Sequence, residues 1–181
     1  LLTSIDIIVL KWLNHNTIPY SIPLLQFISF ITTYVSIALV SGVLIMALFK
    51  KSKPLVRRFF ILAAVLVISG IVSYALKSMI YRVRPFTTYS FIMKLSEGGE
   101  SSFPSGHSME AFAMATAFSL LFRKKKIVFP LFFWAMIVAY SRITLGVHYP
   151  SDVIAGILIG VFIGWIIPRL FNNPESQFSL W

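Results

Sequence analysis

The 181-residue chain has no cysteine, which excludes disulfides and thiolate metal sites. Charge is also scarce. Asp, Glu, Lys and Arg make up 12% of residues, against about 25% in an ordinary soluble domain. Acidic residues are the scarcest, six against sixteen Lys and Arg. No repeat, low-complexity tract or secretory leader pattern is evident. What the chain has in abundance is apolar residues, 57%, gathered in long runs. That distribution makes a lipid bilayer the expected solvent.

The net charge of +10 would suggest nucleic acid in a soluble protein. Its placement argues otherwise. Lys50, Lys51, Lys53, Arg57 and Arg58 form one cluster, and Arg123, Lys124, Lys125 and Lys126 another. Each lies between two apolar runs, where cytoplasmic loops carry Lys and Arg. No nucleic-acid partner is therefore expected.

A helix crossing the hydrocarbon core needs about 20 mainly apolar residues. Five segments are predicted to cross, at 32–49, 57–80, 107–122, 127–146 and 151–171. The fold class is thus an all-α membrane bundle forming one domain over 1–181. Residues 1–31 read as helices lying in the outer interface, because Asp6 and Lys11 interrupt the first apolar run and Pro19 and Pro23 break the next. A sixth span beginning upstream of Leu1 is the alternative. Residues 172–181 read as a cytoplasmic tail. With the basic loops inside, the long loop 81–106 and the turn 147–150 share the outer face. Gly156, Gly160 and Gly164 recur every fourth residue, the spacing that lets two membrane helices approach closely.

Three polar elements fall on that outer face. Lys77 and Arg84 are seven apart, nearly two helical turns or about 10 Å if helical, although Pro85 pushes Arg84 toward an extended conformation. For each cation alone, snorkelling to the interface is the commoner explanation. Pro104-Ser105-Gly106-His107 precedes an apolar run. Ser105 suits an N-cap, Gly106 lets backbone approach a ligand, and a helix start is a ready anion site. The bland alternative is a capped helix with an interfacial histidine. Ser141-Arg142, His148 and Asp152 form the third element. Asp152, in the first turn after Pro150, can reach back to one ring nitrogen of His148 and leave the other to attack. Arg142 offers a planar fork for phosphate oxygens. Three cations, one helix N-terminus, two histidines and a carboxylate suit a phosphoryl group. They do not suit a divalent metal, which the cations would repel.

These elements resemble the three motifs of the type 2 phosphatidic acid phosphatase family, with Lys77…Arg84-Pro85, Pro104–His107 and Ser141-Arg142…His148…Asp152 in matching order and spacing. The resemblance implies a lipid phosphatase. His148 would be the nucleophile, oriented by Asp152, and His107 the general acid and later base. Lys77, Arg84, Arg142, Ser105 and the Gly106 N–H would hold the phosphoryl oxygens. It also implies a phosphohistidine intermediate, no metal and no other cofactor. Candidate substrates are a lipid A phosphate, undecaprenyl pyrophosphate, phosphatidylglycerol phosphate and phosphatidic acid. The expected location is a bacterial inner membrane with the site facing out. Rival readings are a non-enzymatic lipid-phosphate binder or transporter, and a vanadate haloperoxidase, which the apolar spans oppose. Arg82 and Lys94 read as loop or head-group cations. Glu110 reads as a partner of His107 or of a neighbouring helix. His15 reads as an idle interfacial residue, and Tyr81, Phe86 and Tyr89 as an aromatic belt.

Overall fold

The structure, a computed structural model, describes residues 2–171, so the expected tail at 172–181 lies outside the described residues. In chain order the helices are α1 (Leu2–His15), α2 (Ile22–Phe49), α3 (Lys53–Met79), α4 (Pro85–Thr88), α5 (Gly106–Phe122), α6 (Lys125–Thr144) and α7 (Pro150–Phe171), with a 3₁₀ turn at Pro19–Ser21 before α2. Among the described residues the only β pairing is an isolated antiparallel bridge between Val83 and Ser101. Among the described residues four helices, α2, α3, α6 and α7, are long and apolar enough to cross a membrane.

α2 begins ten residues before the expected position 32. Pro23 lies within its first turn, where a missing N–H breaks no hydrogen bond. The proline that reads as a breaker is instead a helix starter. Pro54 and Pro85 occupy the same place in α3 and α4. The other long helices match their expected bounds to within four residues.

α5 has 17 residues, about 26 Å of helix. It is the central element, packed against α2, α3, α6 and α7. Small residues permit this, since Ala111, Ala113, Ala115 and Ala117 are all buried. Against α7 the fit is closest. A Cβ added at Gly156, Gly160 or Gly164 would sit 2.6, 2.2 or 2.3 Å from the carbonyl oxygens of Ser105, Met109 and Ala113. Large apolar side chains such as Phe27, Phe30, Ile71, Phe129 and Phe162 point outward, as lipid-facing residues do.

The two ends of the bundle differ. At one end the Arg58 guanidinium stacks on Phe122 and Arg57 donates to the Phe171 carbonyl, so the basic loops and the end of α7 lie together. The opposite end carries the long loop and the starts of α5 and α7. α1 closes that end. Asn14, fully buried, donates to the carbonyls of Met93 and Thr144 and accepts from the Met93 N–H.

Candidate active site

Lys77 lies in the last turn of α3, and its Nζ donates to the carbonyls of Ser101 (3.1 Å) and Pro104 (2.8 Å). It is therefore tied to the loop before α5 rather than simply reaching for solvent. The helix ends at Met79, so Lys77 and Arg84 do not share a helical face. Arg84 is extended, at φ −70° and ψ 151°, as expected before proline. Its Nη1 donates to the Val147 carbonyl at 2.7 Å and lies 3.5 Å from His148 Nε2. Its Nε donates to the Gly99 carbonyl. Gly98 passes directly beneath, where a Cβ would come within 2.8 Å of the guanidinium. Burial lowers the Arg84 pKa from its usual value, while the Asp152 charge raises it.

Ser105 holds the N-cap position of α5, but its hydroxyl pairs with that of Ser108 (2.9 Å) instead of capping backbone. Its own N–H donates to the Asp152 carbonyl at 3.0 Å, joining the starts of α5 and α7. Gly106 packs on the Ser73 hydroxyl. His107 follows in the first turn.

Arg142 is in the last turn of α6 and 4% exposed. One Nη donates to Ser29 of α2, and among the described residues its Nε has no hydrogen-bond partner. Gly146, at φ +74°, then reverses the chain. A side chain there would strike the Met93 carbonyl, 2.3 Å from the added Cβ. This turn delivers His148, whose N–H donates back to the Arg142 carbonyl at 3.3 Å. His148 Nδ1 lies 3.7 Å from Asp152 Oδ2, beyond a hydrogen bond, and has no other partner among the described residues. Asp152 Oδ2 accepts from the Tyr149 N–H at 3.0 Å. Burial pushes the His148 pKa from 6.5 down to about 3, outweighing the nearby carboxylate. The imidazole is thus neutral, the form that carries a nucleophilic lone pair.

Lys77, Arg84, Gly106, His107, Arg142 and His148 line one cavity of about 380 Å³. Ser105, expected among the phosphate-holding groups, does not line it, and neither does Asp152. A larger cavity of about 640 Å³ lies between α2 and residues 94–97, and shares His107, Arg142 and Glu97 with the first.

Several residues do something other than expected. Arg82 is no loop cation. It pairs with Asp152 at 2.5 Å and with Asp6 of α1 at 2.9 Å. The cue is its spacing, since residues two apart in extended chain face the same way, and Arg82 and Arg84 both reach the 147–152 segment. Glu110, by contrast, takes one of its two expected places, facing the neighbouring helix α2 and accepting from the Thr33 hydroxyl at 2.8 Å. His15 Nε2 is 2.6 Å from the Phe91 carbonyl and holds the loop. Phe86 and Tyr89 pack on buried clusters instead of forming a belt, whereas Tyr81 is exposed.

A family model described as the PAP2 superfamily matches residues 58–175, which include all three motifs. The chain belongs to the PAP2 superfamily. Among curated PAP2 relatives, the undecaprenyl-diphosphatase BcrC of Bacillus subtilis is 31% identical over 86% of this chain and 77% of its own length. A lipid A 4'-phosphatase of Bacteroides thetaiotaomicron is 38% identical over 45% of this chain, and the match spans only 36% of that protein. The crystal structure of LpxE from Aquifex aeolicus superposes with a TM-score of 0.74 at 28% identity, covering 89% of this chain and 93% of that one. A transmembrane PAP2-type phosphatidylglycerolphosphate phosphatase from Bacillus subtilis gives 0.80 at 21% identity, covering 99% and 89%, a likeness of fold.

Proposed function

We propose that this membrane phosphatase hydrolyses a lipid phosphate or pyrophosphate through a phosphohistidine, without a metal, on the outer face of a bacterial inner membrane. One observation carries the reading: two imidazoles and three cationic side chains, from α3, the long loop, α5, α6 and the turn before α7, border a single cavity. Phosphoryl transfer depends mainly on positioning and charge stabilisation. Arg84, Arg142 and Lys77 supply the charge, and the unpaired Arg142 Nε is a donor available to a phosphate oxygen.

His148 Nε2 attacks phosphorus as the P–O bond to the lipid breaks, and His107 gives its proton to the leaving oxygen. Water then attacks phosphorus, the N–P bond breaks, and His107 takes the proton back. Phosphoryl transfer asks for attack and departure in line. The larger cavity reaches His107 but not His148, so it is the leaving-group side. It opens between α2 and the loop, where a lipid arrives laterally.

In this reading α5 crosses with the four longer helices, giving five spans, and α1 lies in the interface. The chain is one membrane-embedded domain. The similarity to BcrC favours undecaprenyl pyrophosphate, and the lipid A phosphatases make a lipid A phosphate the next candidate. The test is phosphate release from a panel of undecaprenyl pyrophosphate, lipid A, phosphatidylglycerol phosphate and phosphatidic acid by purified protein and by His148→Ala. The wild type releases phosphate from at least one and the variant from none. Full activity in His148→Ala removes the nucleophile and with it the mechanism.

A further inference from the structure

Asp6 is the only acidic residue of α1, and it is 6% exposed. A buried carboxylate on an apolar helix is costly unless paired and hydrogen-bonded. Its pairing is complete and points one way. Oδ1 accepts from the Ser151 N–H at 2.8 Å, and Oδ2 accepts from Arg82 Nη2 at 2.9 Å and from the Ser151 hydroxyl. Arg82 in turn spends Nη1 on Asp152 Oδ1 (2.5 Å) and Ser151 Oγ (2.7 Å). Its guanidinium carbon lies over the Tyr149 ring, 3.9 Å from the centroid. Apart from the Asp6–Arg82 pair itself, these side-chain contacts end within 149–152, the segment that follows His148.

We propose that Asp6 and Arg82 are positioning residues for the reaction, and that α1 is thereby part of the catalytic unit. This rests on His148 being the nucleophile, as proposed above. Asp152 has two oxygens. One is held by Arg82, and the other accepts from the Tyr149 N–H while facing His148 Nδ1. Arg82 therefore sets the rotation of the carboxylate that orients the nucleophile. Asp6 sets Arg82, and it also draws off part of a positive charge that would otherwise weaken Asp152 as a partner for the imidazole. Asp6 lies outside the 58–175 segment that defines the family match, so the motifs alone do not contain this support.

The test uses the full chain in detergent and the lipid hydrolysed fastest in the panel above. Asp6→Asn is expected to lower kcat roughly 10-fold and Arg82→Gln roughly 10²-fold, the scale of a small misplacement of a reacting group. KM stays within about 2-fold, because neither residue lines the cavity. Arg82→Lys, which keeps the charge but loses the fork, recovers part of the Arg82→Gln loss. In an Asp152→Asn background, Asp6→Asn changes kcat less than about 2-fold, the non-additivity of groups acting through one another. A purely structural clamp lowers kcat equally in both backgrounds, and that result overturns the proposal. So do wild-type kcat values in Asp6→Asn and Arg82→Gln beside an inactive His148→Ala. An active His148→Ala instead refutes the underlying mechanism. Kinetics are normalised to the monodisperse fraction, so poor folding of one variant leaves the others decisive.

Discussion

Gly160→Ala adds one methyl group where α7 crosses α5, and the structure says what that methyl meets. Its Cβ would lie 2.2 Å from the Met109 carbonyl oxygen and 3.0 Å from the carbon behind it. Both are backbone, so no side chain can rotate away. Contacts under 3.0 Å are essentially never seen for a real Cβ, so the helices must separate by about 0.8 Å. Overpacking of this kind typically costs about 1–3 kcal/mol. The separation also reaches the chemistry. Met109 is two residues after His107, while Asp152 stands eight residues before Gly160 on the other helix, so the proposed acid and the partner of the proposed nucleophile move apart. A shift near 1 Å costs on the order of 10²-fold in rate, so kcat is expected to fall roughly 10- to 100-fold along with the drop in stability. Gly42→Ala is the control, since nothing lies within 4 Å of its added Cβ. It is expected within about 0.5 kcal/mol of wild type. Thermal unfolding in detergent and phosphate release read the two effects. If Gly160→Ala matches Gly42→Ala in both, the α5–α7 contact does not hold the site.

Arg84→Lys keeps the charge but loses the fork that binds the Gly99 and Val147 carbonyls beside His148. It should lower kcat/KM on the order of 10²-fold, the scale of a misplaced reacting group, and near-wild-type kinetics would show that charge alone suffices. His148 is held neutral by burial, its pKa lowered from 6.5 to about 3, so below pH 6.5 the unfolded chain binds the extra proton. Stability therefore falls as pH drops from about 6.5 toward 3, by at most about 1.4 kcal/mol per unit from this group. Melting curves of His148→Gln should be flatter over that window, and parallel curves would refute the assignment. Chelators should leave phosphate release unchanged, while vanadate should inhibit by mimicking five-coordinate phosphorus. Loss of activity on chelation, restored by Mg²⁺ or Zn²⁺, would overturn the proposed metal-free reaction. Glu100→Cys, on an exposed loop residue, should react with an impermeant thiol reagent from outside, and labelling only from the cytoplasm would invert the topology.

The long helices were legible because a bilayer imposes a length and a composition that chance rarely supplies. The start of α2 was not, since Pro23 reads as a breaker in mid-run yet fits a first turn, and only the fold says which. The glycines at 156, 160 and 164 announced a close helix contact without naming the partner. The motif residues were readable in types and spacing, whereas the way they meet was not. Lys77 and Arg84 suggested one helical face, but α3 stops between them and the loop turns Arg84 onto Val147 and His148. Asp6 looked like an interruption in an apolar run. A lone acid on a helix specifies a need for a partner and nothing about which one, and Arg82 is 76 residues away.

The charge arrangement explains why so much rigid packing surrounds so small a site. Lys77, Arg84 and Arg142 are held by carbonyl oxygens and the Ser29 hydroxyl, not by carboxylates. The acids nearby are engaged elsewhere: Asp152 with Arg82, Glu97 with Lys94, and Glu110 with Thr33. Neutral acceptors orient a cation without cancelling it, so the three groups repel one another across the cavity. That repulsion opposes folding and is the same field that, in the proposed reaction, stabilises charge developing on a phosphoryl group. The Ala-rich α5 and its glycine contacts with α7 supply compensating packing from residues with no chemistry of their own. Electrostatic strain at the site and close packing beneath it are two halves of one design, which is why a methyl group at Gly160 should cost both stability and rate.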